Sequence, residues 1–524
     1  MPQDMERLSV DDAQEGPSDF ITGWKLAILL CGISVAIFLP NLEISIVSTA
    51  LVTIANDLHG FRETGWVVVA YLITYTGFII VWAKLSDIFK RKWALLAALT
   101  IFIIASALCG ASQNMTMLIV FRAVQGLGGA GCFSISMVVF FELIPQEKYP
   151  KYGSIISADI AFATLLGPII GGAIADSTTW RWSVTTSGSS LPIGLFAVAA
   201  LAVFLPNDFP FHGSRICPFS DKFSIRRVDF LGTFLLVGAN LFLVTALLEA
   251  STDYSWSSAL VIVFLVISGL LWILFVLWSW VATRDGRWQL EPVFPFRFFT
   301  NRYWMGMLMQ SFFLGFPFTM LVISLPQRFQ TVNSLSALDA GVRLLPYAMF
   351  APLGSLASNI LIGLALLASE PVGAQIPARL YGYEIVAGFG VGITFGTLVT
   401  ITPASVESRD LATATGAMIQ FRQMGGAIGL SIGSTLLNSH LKSSLAPPVL
   451  TSSQLNALLQ DFQAILRFPL VLQEITRNVF SEAFSLQLKV VVGLAAALFP
   501  AILMMIKFPS RTPAIPRQSS SGHE

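Results

Sequence analysis

Arg122-Ala-Val-Gln-Gly-Leu-Gly-Gly-Ala-Gly131 can be read in two ways, and the choice decides the fold. Gly126, Gly128 and Gly131 spell G-x-G-x-x-G, the dinucleotide fingerprint, but that chemistry needs a strand before the glycines and a βαβ unit around them. Here the glycines lie inside an apolar run from 117 to 140, long enough to be one helix. Small residues at this spacing let helices approach closely in lipid, where no hydrophobic force draws them together. The stretch is therefore read as part of a membrane helix that carries an arginine.

The rest of the chain forces the same choice. Of its 524 residues, 55% are apolar and only 12% charged, with 31 basic and 30 acidic side chains and a mean hydropathy of +0.73. Soluble domains carry roughly 25% charged residues, so too little polar surface exists to coat a water-soluble body, and most of the exterior must face lipid. A net charge of +1 with no basic domain leaves nucleic acid no electrostatic footprint. Cys31, Cys109, Cys132 and Cys217 are scattered singly, as are His59, His212, His440 and His523, so neither a disulfide framework nor a metal site is expected. No G-x-x-x-x-G-K-[ST] loop occurs, so ATP is not expected as the driver and no cofactor is implied. With no His, Cys or metal-ligand cluster in any apolar run, an enzyme is the least favoured reading.

Thirteen apolar runs follow in series, each near the length a helix needs to cross roughly 30 Å of hydrocarbon. They centre on 25–53, 66–82, 93–110, 117–140, 153–175, 188–205, 230–248, 259–281, 304–325, 340–368, 381–402, 412–437 and 489–506. The connections after runs 2, 4, 6 and 8 hold fourteen Lys and Arg, and those after runs 1, 3, 5, 7 and 9 hold three. That bias places the even connections and the amino terminus in the cytoplasm. Residues 1–23 are polar and acidic, without a basic n-region or a small-residue cleavage site, so no removed signal peptide is expected and the first run serves for insertion.

Between runs 2 and 3 stands Ala83-Lys-Leu-Ser-Asp-Ile-Phe-Lys-Arg-Lys92, a tight polar turn in which Asp87 faces Lys84 and Arg91, either a solvated loop or an electrostatic latch. It resembles the cytoplasmic signature loop of the major facilitator superfamily, although two usual glycines are replaced by Ala83 and Lys90. Arg122 to Gly131 resembles that superfamily's arginine-bearing fourth helix. Leu165-Leu-Gly-Pro-Ile-Ile-Gly-Gly172, with Gly167, Pro168, Gly171 and Gly172, is similar to the fifth-helix motif of its exporters. Leu42-Glu-Ile-Ser-Ile-Val-Ser-Thr-Ala-Leu51 is similar to the first-helix signature of the 14-spanner drug:proton antiporter branch, with Glu43 where Asp is usual. Trp180-Arg-Trp182, Asp229-Phe-Leu-Gly232, Gly341 to Pro346 and Phe421 to Gly429 also match. The resemblance covers about residues 24 to 507 and extends to fungal toxin and multidrug efflux transporters.

The resemblance implies an all-α polytopic membrane protein with the major facilitator fold: two helical bundles plus two additional helices. Its expected layout is a disordered cytoplasmic tail (1–23), an N-terminal six-helix bundle (24–206), a cytoplasmic loop (207–229), two additional helices (230–281), a second cytoplasmic loop (282–303), a C-terminal bundle (304–507) and a tail (508–524). Residues 340–368 form one run where the family has two helices, so about one span is expected to be missing and the second bundle incomplete.

Ionisable groups at bilayer depth are costly and are functional hypotheses by default. Glu43, Arg122 and Asp159 are the candidates for proton coupling; the bland alternatives are a structural hydrogen bond for Glu43, snorkelling for Arg122 and access to water for Asp159. Arg422, flanked by Gln420 and Gln423, is the deepest cation and reads equally as a substrate contact or an internal counter-ion. Among 41 phenylalanines, Phe312 and Phe316 crowd the run around Pro317 and, with Gln420 and Arg422, are the candidate lining for a lipophilic, ring-containing substrate. The reading is a monomeric, proton-coupled exporter of lipophilic small molecules, such as a toxin, drug or secondary metabolite, in the plasma membrane or else a vacuolar or vesicular one. Its rivals are a solute importer of the same superfamily and a transport-dead sensor, scaffold or mis-spliced product.

Overall fold

The structure is a computed structural model that describes residues 23–505 apart from 59–63, 171–189, 210–228, 285–291, 354–378 and 461–464, and apart from scattered positions between 146 and 168 and at 208, 252, 253, 407–409, 448 and 466. Its described elements are helices, with no strand among them. They are α1 (Trp24–Asp57), α2 (Thr64–Ile88), α3 (Arg91–Gly110), α4 (Met115–Glu142), α5 (Ser190–Phe204), α6 (Phe230–Ser251), α7 (Ala259–Arg284), α8 (Arg297–Thr300) and α9 (Arg302–Thr331). Then come α10 (Ala337–Arg343), α11 (Leu345–Leu353), α12 (Arg379–Ala404), α13 (Leu411–Ser444), α14 (Ser452–Gln460), α15 (Leu470–Ala496) and α16 (Leu498–Met505). Among the described residues, nine helical spans are long and apolar enough to cross a membrane, and α5 is a shorter apolar helix.

Local chemistry sets where these helices begin. Asn114 accepts from the Met117 amide at 2.8 Å to cap α4, and Asn301 accepts from Tyr303 at 3.0 Å to cap α9. Each cap satisfies an amide that the first turn leaves unpaired. Asp229 does more. Its Oδ1 accepts from the Gly232 amide at 2.7 Å and from Trp278 Nε1 at 2.8 Å, while Oδ2 accepts from the Val293 amide at 3.2 Å. One buried carboxylate thus ties the start of α6 to α7 and to the chain leading into α8.

α1 to α5 pack as one bundle and α9 to α16 as another. α2 and α4 of the first meet α13 of the second; α6 lies against both α2 and α13, and α7 packs outside it on α6. Only five side chains of α7 are buried, whereas Ile262, Val266 and Ile273 are exposed, as lipid contact requires. Crossing helices are brought together by small residues. A Cβ on Gly128 would stand 2.6 Å from the Phe102 amide of α3, and one on Gly425 would collide with the Phe312 carbonyl of α9. The G-x-G-x-x-G of α4 is therefore a helix-packing surface. Side chains add hydrogen bonds across these seams: Thr74 Oγ1 donates to the Ala123 carbonyl at 2.8 Å, Ser311 Oγ to Met418 at 2.6 Å and Gln487 Nε2 to Gly433 at 2.6 Å.

Two boundaries differ from the sequence reading. The stretch 438–488, left between the last two apolar runs, is largely helical: α13 runs on to Ser444, α14 follows and α15 starts at Leu470. Averaged hydropathy hides these turns because one face is polar, while Phe480, Ala483, Phe484 and Leu441 pack into a separate apolar cluster on the other. The run 340–368 begins as two short helices broken at Leu344, and α11 packs along α12. The expected missing span falls largely on residues 354–378, which lie outside the described residues, as do the tails 1–22 and 508–524 and nearly all of the loop 207–229.

Candidate functional site

Three polar groups lie within the helices, and each can be built from its sequence position. At the end of α2, Asp87 faces Lys84 one turn back at 3.8 Å and Arg91 across the turn at 2.5 Å. Arg91 also donates to Ser86 Oγ at 2.8 Å and clasps Glu142, with Nη2 at 2.9 Å and Nε at 3.1 and 3.2 Å from its carboxylate oxygens. All three charges sit at the unfavoured end of their own helix dipole: Arg91 at a first residue, Asp87 and Glu142 in last turns. Their mutual pairing offsets that. Lys90, where the resembling family has glycine, holds φ at +64°, a left-handed conformation in which a side chain is strained. Beside this latch the two bundles touch, with Ala83 and Val138 against Leu411 and Ala412.

Deeper in the first bundle, Glu43 of α1 and Arg122 of α4 meet. Arg122 Nη1 donates to Glu43 Oε1 at 3.0 Å and to Gln125 Oε1 at 2.7 Å, and Nε donates to the Val67 carbonyl at 3.3 Å. Gln125 passes the chain on, donating from Nε2 to Ser106 Oγ at 2.7 Å, and Ser106 donates to the Phe102 carbonyl at 2.8 Å. The Tyr71 ring lies 4.6 Å below the guanidinium, and its hydroxyl donates to the carbonyl of Pro40 at 3.3 Å. Glu43 is 2% exposed and Arg122 1%. Pro40 removes a helical hydrogen bond just before Glu43. The arrangement is a closed network: an acid that can be ionised against a guanidinium or neutralised by a proton. Burial favours the neutral form of any carboxylate and a nearby cation favours the charged one.

The second bundle holds a different kind of site. Arg422, twelve residues into α13, is 1% exposed, and none of its three guanidinium nitrogens makes a hydrogen bond to a described residue. The rings of Phe318 from α9 and Phe395 from α12 each lie 4.8 Å from it. Two phenols, Tyr75 of α2 and Tyr347 of α11, are near enough to feel its charge, so both bundles contribute to the surroundings. Gln420 is fully buried with neither amide atom bonded. Two residues apart on a helix face about 200° apart, so Gln420 and Arg422 occupy different faces of α13.

The remaining sequence candidates separate. Phe316 is buried against α13, where a Cβ on Gly429 would come within 2.9 Å of its ring. Phe312 is half-buried and stacks edge-on to Phe316 at 5.3 Å. Asp159 is half-buried, and its Oδ2 makes no hydrogen bond. Gly167 is buried, whereas Pro168, Gly171 and Gly172 lie outside the described residues. Sequence reasoning missed Glu142, the acid ending the fourth run, and Glu384, a lone acid in the run 381–402. Glu384 is fully buried, neither of its oxygens is hydrogen-bonded to a described residue, and it lies within electrostatic reach of Arg328. The rule that singled out Glu43, an isolated acid inside an apolar run, would have found it. Among the described residues no three His, Cys, Asp or Glu side chains cluster as metal ligands, and Cys31, Cys109 and Cys132 are free thiols.

Comparison with known proteins gives this arrangement a context. Residues 33–291 match the model of the Major Facilitator Superfamily. The chain is 39% identical to MFS-type transporter FPY5 of Fusarium mangiferae, over 95% of this chain and 86% of the relative. It is 31% identical to Efflux pump FUS6 of Gibberella fujikuroi, over 87% and 82%. Its fold resembles the crystal structure of a bacterial homologue of the human lysosomal transporter Spinster, inward-facing and unoccupied, with a TM-score of 0.57, 15% identity and coverage of 93% and 98%. It also resembles the proton:xylose symporter XylE, with a TM-score of 0.51, 13% identity and coverage of 89% and 94%.

Proposed function

This chain belongs to the Major Facilitator Superfamily and is a multi-pass membrane protein; from that premise we propose that it is a proton-coupled exporter of lipophilic small molecules. The observation that carries the proposal is the Glu43–Arg122 pair, 3.0 Å apart and shielded from water. When a proton reaches Glu43 the attraction to Arg122 falls away, leaving Arg122 with Gln125 and the Val67 carbonyl. The α1–α4 seam then loosens on one side of the membrane. When the proton leaves, the pair re-forms. Coupling follows because the proton shifts the balance between two conformations, and a bound substrate shifts it as well. Each proton descending 100 mV contributes about 2.3 kcal/mol, enough to lift a solute roughly fifty-fold uphill.

The latch of Lys84, Asp87, Arg91 and Glu142 is proposed to steady one of those conformations, since it stands where the bundles touch. The lipophilic substrate would occupy the region between α2, α9, α11, α12 and α13. The name of the relative FUS6, an efflux pump, supports export over import. The test is the accumulation of a panel of lipophilic compounds in cells with and without the protein, before and after the proton gradient is collapsed. Lower accumulation that disappears with the gradient is the expected result. Equal accumulation throughout would leave the sensor or scaffold reading in its place.

A further inference from the structure

Arg422 presents a problem that the exporter reading does not solve. A guanidinium 1% exposed to solvent keeps its full charge, and an uncompensated charge in a protein interior is strongly unfavourable. Arg122, equally buried, has a carboxylate; among the described residues Arg422 has none. The rings of Phe318 and Phe395 attract the cation through their faces but accept no in-plane hydrogen bond from its five N–H groups. The hydroxyls of Tyr75 and Tyr347 make no hydrogen bond to the guanidinium. The donor fork is therefore held between aromatic walls with its hydrogen-bonding capacity unspent.

From this geometry we infer that Arg422 receives the acidic group of the transported molecule, and that the natural substrate class is lipophilic, ring-containing organic acids bearing one carboxylate or enolate. This deepens the exporter reading and rests on it. Three features select the class. A planar guanidinium matches a carboxylate with two parallel N–H donations, stronger than those to a neutral carbonyl, and only an anion offsets the charge. Phe318 and Phe395 flank the fork, so the body attached to the acid meets aromatic faces. Tyr75 lies on α2 of one bundle and Tyr347 on α11 of the other, so an anion on Arg422 sits between the parts that must move past each other. A phospholipid phosphate fits poorly, because Arg422 is well inside α13 instead of at a helix end near the headgroups.

The test uses the full-length protein in phosphatidylcholine vesicles with an imposed pH gradient and a panel of lipophilic acids, each paired with its methyl ester; 1-pyrenebutyric acid is one. The expected result is that the acids move at least about ten-fold faster than their esters. Arg422→Gln should bring each acid down to the rate of its ester, while Arg422→Lys should keep part of the preference. Thermal stabilisation of the purified protein by acid but not ester, lost in Arg422→Gln, gives a second readout independent of transport. Equal rates for acid and ester, or an equal loss of both in Arg422→Gln, would overturn the inference and make Arg422 an internal counter-ion, with the exporter reading intact. Movement of no member of any pair would instead sink the exporter reading itself.

Discussion

The two bundles share one packing device and differ in how they treat buried charge. In the first, Gly128 lets α4 meet α3, and the polar groups beside that seam, Glu43, Arg122, Gln125 and Ser106, are joined in one hydrogen-bonded chain. In the second, Gly425 lets α13 meet α9, but Gln420, Arg422 and Glu384 are buried with their side-chain polar atoms unbonded among the described residues. A closed network is complete as it stands and changes only when a proton arrives. An open one is left wanting a partner. The difference fits the proposed division of labour, with proton chemistry in the first bundle and substrate recognition in the second.

Removing the two buried arginines tests that division with the largest expected effect. Arg122→Ala leaves Glu43 buried without its counter-ion and should destabilise the purified protein by about 3–5 kcal/mol. Arg422→Met replaces an uncompensated charge with an apolar side chain of similar length, so its thermal unfolding temperature should match or exceed that of the wild type while the preference for acid over ester is lost. Equal destabilisation by both would erase the contrast. The packing device should behave alike in the two bundles: Gly128→Val and Gly425→Val each force apart a close crossing and are expected to cost at least about 1–3 kcal/mol. A tolerated valine at either site would show that the crossing is looser than described.

The latch predicts smaller numbers. Lys90→Gly relieves a left-handed conformation and should stabilise by about 1 kcal/mol, seen as a higher unfolding temperature. Asp87→Asn should cost only about 0.2–1 kcal/mol, since Asp87 is partly exposed and Arg91 keeps Glu142. A double-mutant cycle of Asp87→Asn with Glu142→Gln measures whether the two acids act through Arg91 as one unit. Strict additivity would mean that they do not.

Much of this organisation was legible in the sequence because lipid imposes simple rules. Apolar length marks the spans, glycine spacing marks α4, and an acid or arginine inside an apolar run marks Glu43, Arg122 and Arg422. Pairings across helices were not legible: nothing in the chain says that Arg91 reaches Glu142, 51 residues away, or that Phe318 and Phe395 rather than Phe312 and Phe316 lie on Arg422. Helical rotation also separates Gln420 from Arg422, which adjacency in sequence had grouped. The turns before Leu488 were hidden because a helix with one polar face averages to a polar loop in a hydropathy window.

The central claim is that Glu43 carries the proton that drives export. Its direct test is substrate movement in proteoliposomes with an imposed pH gradient, comparing wild type, Glu43→Gln and Glu43→Asp. Glu43→Gln, nearly the same shape but unable to ionise, should still bind substrate and equilibrate it, yet lose gradient-driven accumulation; Glu43→Asp should retain part of it. Uphill transport by Glu43→Gln equal to that of the wild type would contradict the account and move proton coupling to another acid, half-buried Asp159 or buried Glu384.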